Sequence, residues 1–187
     1  MTTDETIEHV FKVWEDRGQS DYIGEPVSQI EHAAQAAALA EAAGHDEEVV
    51  LAAFLHDFGH LCCPEAESMD GYGTVDHEKV GADYLRGLGF PDRLCRLIES
   101  HVAAKRYLTF KNPAYLGRLS EASLMTLTFQ GGPMTPEEAA AFEADALFPL
   151  YLKMRTWDEQ AKEEHVPVPD LARYREMTRR ILEAAGT

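Results

Sequence analysis

Basic residues are scarce in this sequence. Its 187 residues include 17 Lys and Arg against 33 Asp and Glu, which gives a formal net charge of −16. Nucleic-acid and anionic-membrane surfaces need clustered basic residues, so this charge argues against both kinds of partner. An anionic small-molecule ligand would require a few cations to be concentrated locally, which makes individual Lys and Arg residues informative.

Cysteine is also scarce, and long apolar runs are missing. Cys62 and Cys63 are adjacent and Cys95 stands alone, so neither a disulfide framework nor a zinc ribbon is indicated, and we expect reduced thiols. No run reaches the roughly eighteen apolar residues of a membrane span. Residues 1–10 carry three acidic residues and lack the apolar core of a signal peptide. These features predict a cytoplasmic protein; they do not indicate a protein partner.

Sustained alternation of β-branched residues is absent, whereas apolar residues recur at helical spacing. The sequence therefore predicts an all-α fold, with one domain over residues 1–187 that has a helix at each end. Ser28 and Glu31 form a capping box, and Asp46 is placed to begin a helix that runs toward Gly59. Helix starts are also predicted near Pro91, Pro113 and Pro136, and the helix after Pro91 is predicted to end at His101. Further helices are predicted over residues 3–15, 77–88, 119–128, 147–162 and 171–184.

The longest segment without helical periodicity covers residues 64–75, PEAESMDGYGTV, between two helices that carry histidine. Loops in such positions are often lids over a site. A solvated connection without a role is the alternative.

The most specific local signal is the pair His56 and Asp57, which follows the apolar run VVLAAFL. Two ionisable groups at the end of a buried segment persist only when they are paired, hydrogen-bonded or bound to a cation. A structural His–Asp couple would satisfy this requirement, and so would a metal ion.

Other possible ligands are distributed along the chain, and each could be a surface residue when taken alone. Imidazoles and carboxylates suit iron, manganese or other borderline divalent metals, and the lack of paired thiolates argues against structural zinc. Six such ligands exceed what one open site needs, so two metals with a bridging carboxylate are indicated. The candidate metal ligands are His32, His56, Asp57, His77, His101 and Asp158.

The ordered set H…HD…H…H…D resembles the HD-domain superfamily, which contains metal-dependent phosphohydrolases and a smaller branch of mixed-valent di-iron oxygenases. Four segments resemble the oxygenase branch that acts in phosphonate catabolism: YIGE at 22–25, HVAAK at 101–105, FQGGPM at 129–134 and RTWDEQAK at 155–162. The resemblance covers roughly residues 22–169. It implies a single HD-domain helical bundle.

The resemblance also implies the cofactor and its ligands. Two iron ions, in a mixed-valent Fe(II)/Fe(III) state, would use O2 as co-substrate. Asp57 would bridge them, with the ligands of one iron being His32, His56, Asp57 and Asp158 and those of the other being Asp57, His77 and His101.

Helical spacing places possible anion-binding residues beside these ligands. His60 follows His56 by four residues, Lys105 follows His101 by four, and Arg155 precedes Asp158 by three, so each pair shares a helix face. The predicted substrate-binding residues are His60, Lys105, Ser123 and Arg155. Ordinary solvent exposure is the alternative for the two cations.

By the same resemblance, Tyr22 and Glu25 would form a gate. The tyrosine oxygen would occupy an iron position until substrate displaces it, and O2 would bind only afterwards. A half-buried aromatic ring and a helix-start acid are the structural alternatives for these two residues.

The implied reaction is oxidative cleavage of the carbon–phosphorus bond of a small 1-hydroxyphosphonate. 1-Hydroxy-2-(trimethylammonio)ethylphosphonate would give phosphate and glycine betaine, and 2-amino-1-hydroxyethylphosphonate would give phosphate and glycine. A quaternary ammonium favours aromatic faces, which Tyr22, Tyr72 and Tyr107 could supply. The alternatives are a phosphohydrolase acting on a nucleotide or phosphomonoester and a catalytically silent metal-binding or signalling module.

Overall fold

The computed structural model describes residues 1–22, 24–63 and 67–186. Within these ranges the chain forms helices joined by turns and loops, with two isolated β-bridges and no strand, so the predicted all-α fold is confirmed. The helices are α1 (Thr3–Arg17), α2 (Gln29–Ala42), α3 (Glu47–Leu55), α4 (Gly59–Cys62), α5 (His77–Gly87), α6 (Asp92–Lys111), α7 (Pro113–Leu116), α8 (Glu121–Phe129), α9 (Pro136–Glu143), α10 (Phe148–Gln160) and α11 (Ala172–Ala185).

Side-chain caps explain where several helices begin. Ser28 and Glu31 form the predicted capping box of α2, in which each side chain binds the other residue's backbone N–H. The Asp46 carboxylate accepts a hydrogen bond from Val49 N and starts α3. Because α2 is fixed at its first turn, the position of His32 follows directly from this cap.

Two predicted helix boundaries were wrong. The helix that begins after Asp46 ends at Leu55, and Gly59 begins the separate helix α4 instead of ending the previous one. A Cβ atom at Gly59 would lie 1.8 Å from the His77 carbonyl oxygen, so this glycine allows α4 to pack against the start of α5. His101 lies inside α6 and not at its end, since no proline or glycine interrupts the helix before Lys111.

Helix α3, which leads directly to His56 and Asp57, runs through the centre of the main apolar core. All seven of its residues from Val49 to Leu55 are buried, and the Phe54 ring stacks on Tyr174 of α11 and packs against Trp14 of α1. The core joins the first and last helices, and we therefore propose that one domain spans the chain. His56 and Asp57 follow α3 directly, so the backbone delivers them into the interior.

The loop between α4 and α5 begins outside the described residues, which exclude positions 64–66. Its described part is closed by an antiparallel bridge between Ser68 and Thr74, with Met69 buried beneath it. The predicted lid function stays a prediction. In the described part of the chain, no helix is both long enough and apolar enough to cross a membrane.

Candidate metal centre and anion pocket

Six side chains from five parts of the chain converge on one buried centre. They come from the first turn of α2, the turn after α3, the first residue of α5, the middle of α6 and the last turn of α10, and each is at most 5 % exposed. These are the six candidate metal ligands: His32, His56, Asp57, His77, His101 and Asp158.

Asp57 occupies the middle of this centre. Its Oδ2 lies 3.4 Å from His32 Nε2 and 3.3 Å from His56 Nε2. Its Oδ1 lies 3.2 Å from His77 Nε2 and 3.4 Å from His101 Nε2. One carboxylate therefore faces two pairs of imidazoles through its two oxygens, which is the arrangement that a bridging ligand requires.

The sixth group, Asp158, faces only one of these pairs. Its Oδ1 lies 3.4 Å from His32 Nε2 and 3.9 Å from His56 Nε2, while its Oδ2 accepts a hydrogen bond from Arg155. The two halves of the centre consequently differ in charge: one has a carboxylate of its own and the other does not.

Backbone carbonyls determine which nitrogen of three histidines points into the centre. Nδ1 lies 2.8 Å from a carbonyl oxygen in each case: Ala161 for His32, Ala53 for His56 and Ile98 for His101. A carbonyl only accepts hydrogen bonds, so Nδ1 carries the proton and Nε2 presents its lone pair.

This donor set fits metal ions. Nε2 of His32 and of His56 lie 3.1 Å apart, and Nε2 of His77 and of His101 lie 3.0 Å apart. The lone pairs of His32 and His56 repel at this distance unless a cation or a proton lies beside them. Asp57 Oδ2 is also buried without a hydrogen-bond partner in the described chain, as expected for an oxygen that binds a cation.

The pKa shifts at the centre indicate the same need for positive charge. Burial lowers the pKa of His56, but the neighbouring Asp57 and Asp158 outweigh burial and raise it well above its usual value. Burial raises the pKa of Asp57, whereas the surrounding imidazoles of His56, His101 and His32 hold it well below its usual value. Without a metal ion, protons on the imidazoles would supply the compensating charge.

Two buried cations lie beside the centre. Lys105 is 3 % exposed, and its Nζ donates to the Ser123 carbonyl at 3.2 Å and to the Thr126 hydroxyl at 3.0 Å. Arg155 is 4 % exposed; its Nε donates to the Tyr115 hydroxyl at 3.0 Å. Solvent exposure, the alternative considered for both residues, is wrong.

The predicted Ser123 and His60 border the same space. The Ser123 hydroxyl lies 3.5 Å from Arg155 Nη2. His60 stacks on His77 with ring centroids 3.9 Å apart, and its Nδ1 accepts a hydrogen bond from Thr74 N at 3.0 Å. A His60 donor atom also lies within 4.8 Å of donor atoms of Asp57 and His77, so the geometry allows metal binding by His60 as well as contact with an anion.

Burial changes the proton affinity of two groups in this pocket. It lowers the pKa of Lys105 to about 7, with the charge of Arg155 acting in the same direction. It lowers the pKa of His60 well below its usual value, and the neighbouring His77 adds to this effect. A neutral His60 and a Lys105 that is readily charged by an arriving anion are therefore the expected states near neutral pH.

Tyr22 and Glu25 lie at the edge of the centre. The Tyr22 ring stacks on His32 with centroids 4.0 Å apart, and burial together with the charges of Asp57 and Asp158 raises its pKa well above the usual value. Glu25 forms an ion pair with Lys162, with Oε1 and Nζ 2.5 Å apart. Both residues line the cavity beside the centre, and the gating role stays a prediction.

These groups line a cavity of about 380 Å³, which has room for a small zwitterion. Sequence reasoning missed Thr126, Gln130 and Lys162 among its lining residues. Lys162 follows Asp158 by four residues, and this spacing could have identified it. Tyr72 lines the cavity as expected, whereas Tyr107 does not, because its hydroxyl donates to Glu143 and its ring packs on Phe142 and Phe148.

The fold and the centre define a class: an all-helical protein with a buried histidine and aspartate cluster that could hold metal. The sequence-family model of the HD domain matches residues 29–150, well over half of the chain. The chain belongs to the HD-domain family. Four of the candidate site residues lie outside the matched range: Tyr22, Glu25, Arg155 and Asp158.

Relatives that match along nearly the whole chain narrow the class. The chain is 38 % identical over 178 residues to 1-hydroxy-2-(trimethylamino)ethylphosphonate dioxygenase (glycine-betaine-forming) of Leisingera caerulea, covering 95 % of this chain and 90 % of the relative. It is 39 % identical over 175 residues to hydroxymethylphosphonate dioxygenase of Gimesia maris, covering 92 % and 86 %. It is also 41 % identical over 175 residues to an uncharacterised protein of Acanthamoeba polyphaga mimivirus, covering 92 % and 80 %. The expected relationship to the hydroxyphosphonate dioxygenases is thus confirmed.

Proposed function

We propose that this protein is a di-iron oxygenase that cleaves the carbon–phosphorus bond of a small 1-hydroxyphosphonate and releases phosphate and a carboxylic acid. The observation that carries the proposal is the position of Asp57 between two imidazole pairs, beside buried Lys105 and Arg155. A two-metal centre and a pocket for a doubly charged anion are then adjacent. The names of two relatives give the substrate class.

In this proposal each iron is bound by the side chains that lie near the same oxygen of Asp57. His32, His56 and Asp158 would hold one iron and His77 and His101 the other, with Asp57 shared between them. A mixed-valent Fe(II)/Fe(III) pair would supply the activation of O2 and the redox chemistry.

The chain's own residues would bind and orient the substrate. Lys105 would place a compact charge against the phosphonate, and Arg155 would offer a planar donor whose Nη1 already binds Asp158. The hydroxyl of Ser123 and the ring of His60 would complete the oxygen contacts. Tyr22, stacked on His32, would exclude water until the substrate enters.

We propose 1-hydroxy-2-(trimethylammonio)ethylphosphonate as the first substrate to test, with glycine betaine as the product. Tyr72 on the loop and the acids Asp21 and Glu25 line the cavity, and a quaternary ammonium is attracted to aromatic faces and negative charge. 2-Amino-1-hydroxyethylphosphonate, with a primary ammonium, and hydroxymethylphosphonate, which lacks the aminomethyl substituent on C1, complete the panel.

The test is phosphate release from each substrate by protein loaded with Fe(II), with O2 and under strict anoxia. We expect release that depends on O2 and is matched by O2 consumption. Equal release under anoxia would overturn the oxygenase and favour metal-dependent hydrolysis. His56→Ala and Asp57→Ala should lose metal and activity together, while folding is checked by circular dichroism.

A further inference from the structure

Three of the four histidines in the centre have a backbone acceptor, and the reason lies in their helices. His56 and His101 each bond to the carbonyl three residues earlier, Ala53 and Ile98, which a helix presents on the same face. His32 instead bonds to Ala161, the residue that directly follows α10. In each case the acceptor fixes the plane of the ring and aims Nε2 at the centre.

His77 is the exception. It is the first residue of α5, so the residue three positions earlier is Thr74, which lies in the loop and does not present a helical carbonyl. Its Nδ1 is buried and has no hydrogen-bond partner in the described chain. The charged atom beside it is Glu78 Oε2, at 3.6 Å.

Glu78 is equally short of a partner. The Glu78 side chain is 14 % exposed, and its Oε2 is buried without a hydrogen bond to any described residue. A buried carboxylate oxygen left in this state costs free energy, on the order of 1–3 kcal/mol or more. An unpartnered donor and an unpartnered acceptor thus lie side by side.

The surroundings hold the His77 ring in an orientation that keeps Nδ1 near this oxygen. One face of the ring stacks on His60, at 3.9 Å between centroids. The backbone of His77 is packed against Gly59, where even a methyl group would not fit. The Glu78 side chain is therefore the partner that would have to move to shorten the 3.6 Å separation.

We propose that Glu78 is a positioning residue for the second metal: its carboxylate accepts the Nδ1 hydrogen bond of His77 and aims Nε2 at the ion. This inference rests on the metal centre of the proposed function. It also gives the half of the centre that lacks Asp158 a negative charge of its own, since a carboxylate behind an imidazole makes the ring a stronger ligand.

The experiment measures Fe(II) binding to the full chain under anoxia by competition with a chromophoric chelator, with metal content measured in parallel. Glu78→Ala should weaken binding of one of the two ions roughly ten- to hundredfold and leave the other unchanged. Glu78→Gln keeps an acceptor oxygen without the charge, so it should recover part of this loss.

Glu48→Ala is the matched control. Glu48 is the second residue of α3 as Glu78 is of α5, and it too has a buried oxygen without a hydrogen-bond partner among the described residues, but it faces Arg93. This variant should bind both ions as the wild type does. Melting temperatures would show that all three variants fold.

Wild-type affinity for both ions in Glu78→Ala would overturn the role of Glu78, as would equal loss of both ions or loss of the same size in the Glu48→Ala control. Failure of the proposed function gives a different result: wild-type protein that binds two ions but releases no phosphate from any hydroxyphosphonate. A wild type that binds fewer than two ions would overturn both proposals.

Discussion

Asp57 illustrates what one residue contributes when its two oxygens face different partners. An aspartate beside a histidine is visible in the sequence, but the division of its oxygens between two imidazole pairs depends on α2, α5 and α6 meeting at one point. Oδ2 faces the His32–His56 half of the centre, and Oδ1 faces the His77–His101 half. Substitution by asparagine would therefore impair both halves, because an amide offers one acceptor oxygen and a donor nitrogen.

The role of Lys105 leads to a prediction about substrate affinity. Lys105→Ala should raise the KM or Kd for the hydroxyphosphonate roughly ten- to hundredfold, since a hydrogen bond to a charged group contributes about 1.5–3 kcal/mol. Iron content should stay at the wild-type level, because the lysine ammonium donates its hydrogen bonds to Ser123 and Thr126, and among the described residues none goes to a candidate metal ligand. Isothermal titration and metal analysis measure the two quantities.

Lys111→Ala is the control for this change. Lys111 ends the same helix but pairs with Glu143 on the surface, so its removal should alter neither quantity. Loss of iron in Lys105→Ala would show that the lysine supports the metal centre instead of the substrate.

The residue types of the site could be predicted from the sequence, whereas their mutual contacts could not. His101 and Lys105 share a face of α6 whatever surrounds the helix, and so do Arg155 and Asp158 on α10. The contact between Lys105 and Thr126 depends on how α8 lies across α6, and the contact between His77 and Glu78 depends on side-chain rotation. Helical spacing does not determine either.

At the level of elements, α8 is divided between two environments. Ala122, Ser123 and Thr126 line the cavity, while Leu124, Met125 and Phe129 of the same helix are exposed at 44 %, 44 % and 42 %. The segment that carries Tyr22 touches the inner side: a Cβ atom at Gly24 would lie 2.8 Å from the Ala122 Cβ. The loop and the helix therefore share one close contact beside the cavity.

Because of this contact, Gly24→Ala should lower the free energy of unfolding by more than the strain of a positive φ alone would. Gly24 has φ +79° and Gly44 has φ +77°, but nothing lies within 4 Å of a Cβ atom at Gly44. Gly44→Ala should cost about 1–2 kcal/mol of strain, and Gly24→Ala a further 1–3 kcal/mol or so from the clash. Urea unfolding measures both changes.

A double-mutant cycle isolates the clash. Combining Gly24→Ala with Ala122→Gly removes the opposing methyl group, so the double variant should be more stable than the sum of the single effects predicts, by on the order of 1 kcal/mol. Strictly additive costs would mean that the loop moves away from α8 without resistance.

Helix starts were predictable because they depend on adjacent residues. Ser28, Asp46 and Thr135 cap α2, α3 and α9 through their own side chains. The end of α3 was not predictable in the same way. Gly59 resembles a helix terminator in the sequence, but its function in the fold is to let α4 approach the backbone of α5.

Over the whole molecule, charge is separated between surface and interior. Arginines of α11 pair with acids of α1, α2 and α3 at the exterior, as Arg175 does with Glu8 and Arg180 with Glu47. Lys105 and Arg155 are instead buried beside the centre. In a chain with a net charge of −16, these two cations are thus kept in the interior, where water screens their charge least.

Metal loading should stabilise the whole protein. Asp57 and Asp158 are buried acids that an ion would neutralise, and a ligand present at 100 times its Kd stabilises the native state by about 2.7 kcal/mol. For a chain of this size, that corresponds to a rise of roughly 5–10 °C in Tm on adding Fe(II) under anoxia.

The rise should disappear in Asp57→Asn and persist in His165→Ala, whose histidine side chain is 92 % exposed and faces Glu164. Differential scanning fluorimetry measures all three proteins. An equal rise in Asp57→Asn would place the stabilising ion elsewhere.

The contact between Arg155 and Asp158 has a thermodynamic consequence. The guanidinium borders the anion pocket and also holds the carboxylate that faces His32, so an arriving phosphonate would compete with that carboxylate for the same positive charge. Any such competition is reciprocal: if substrate alters how firmly the ion is retained, the ion must alter how firmly substrate is retained, by the same factor.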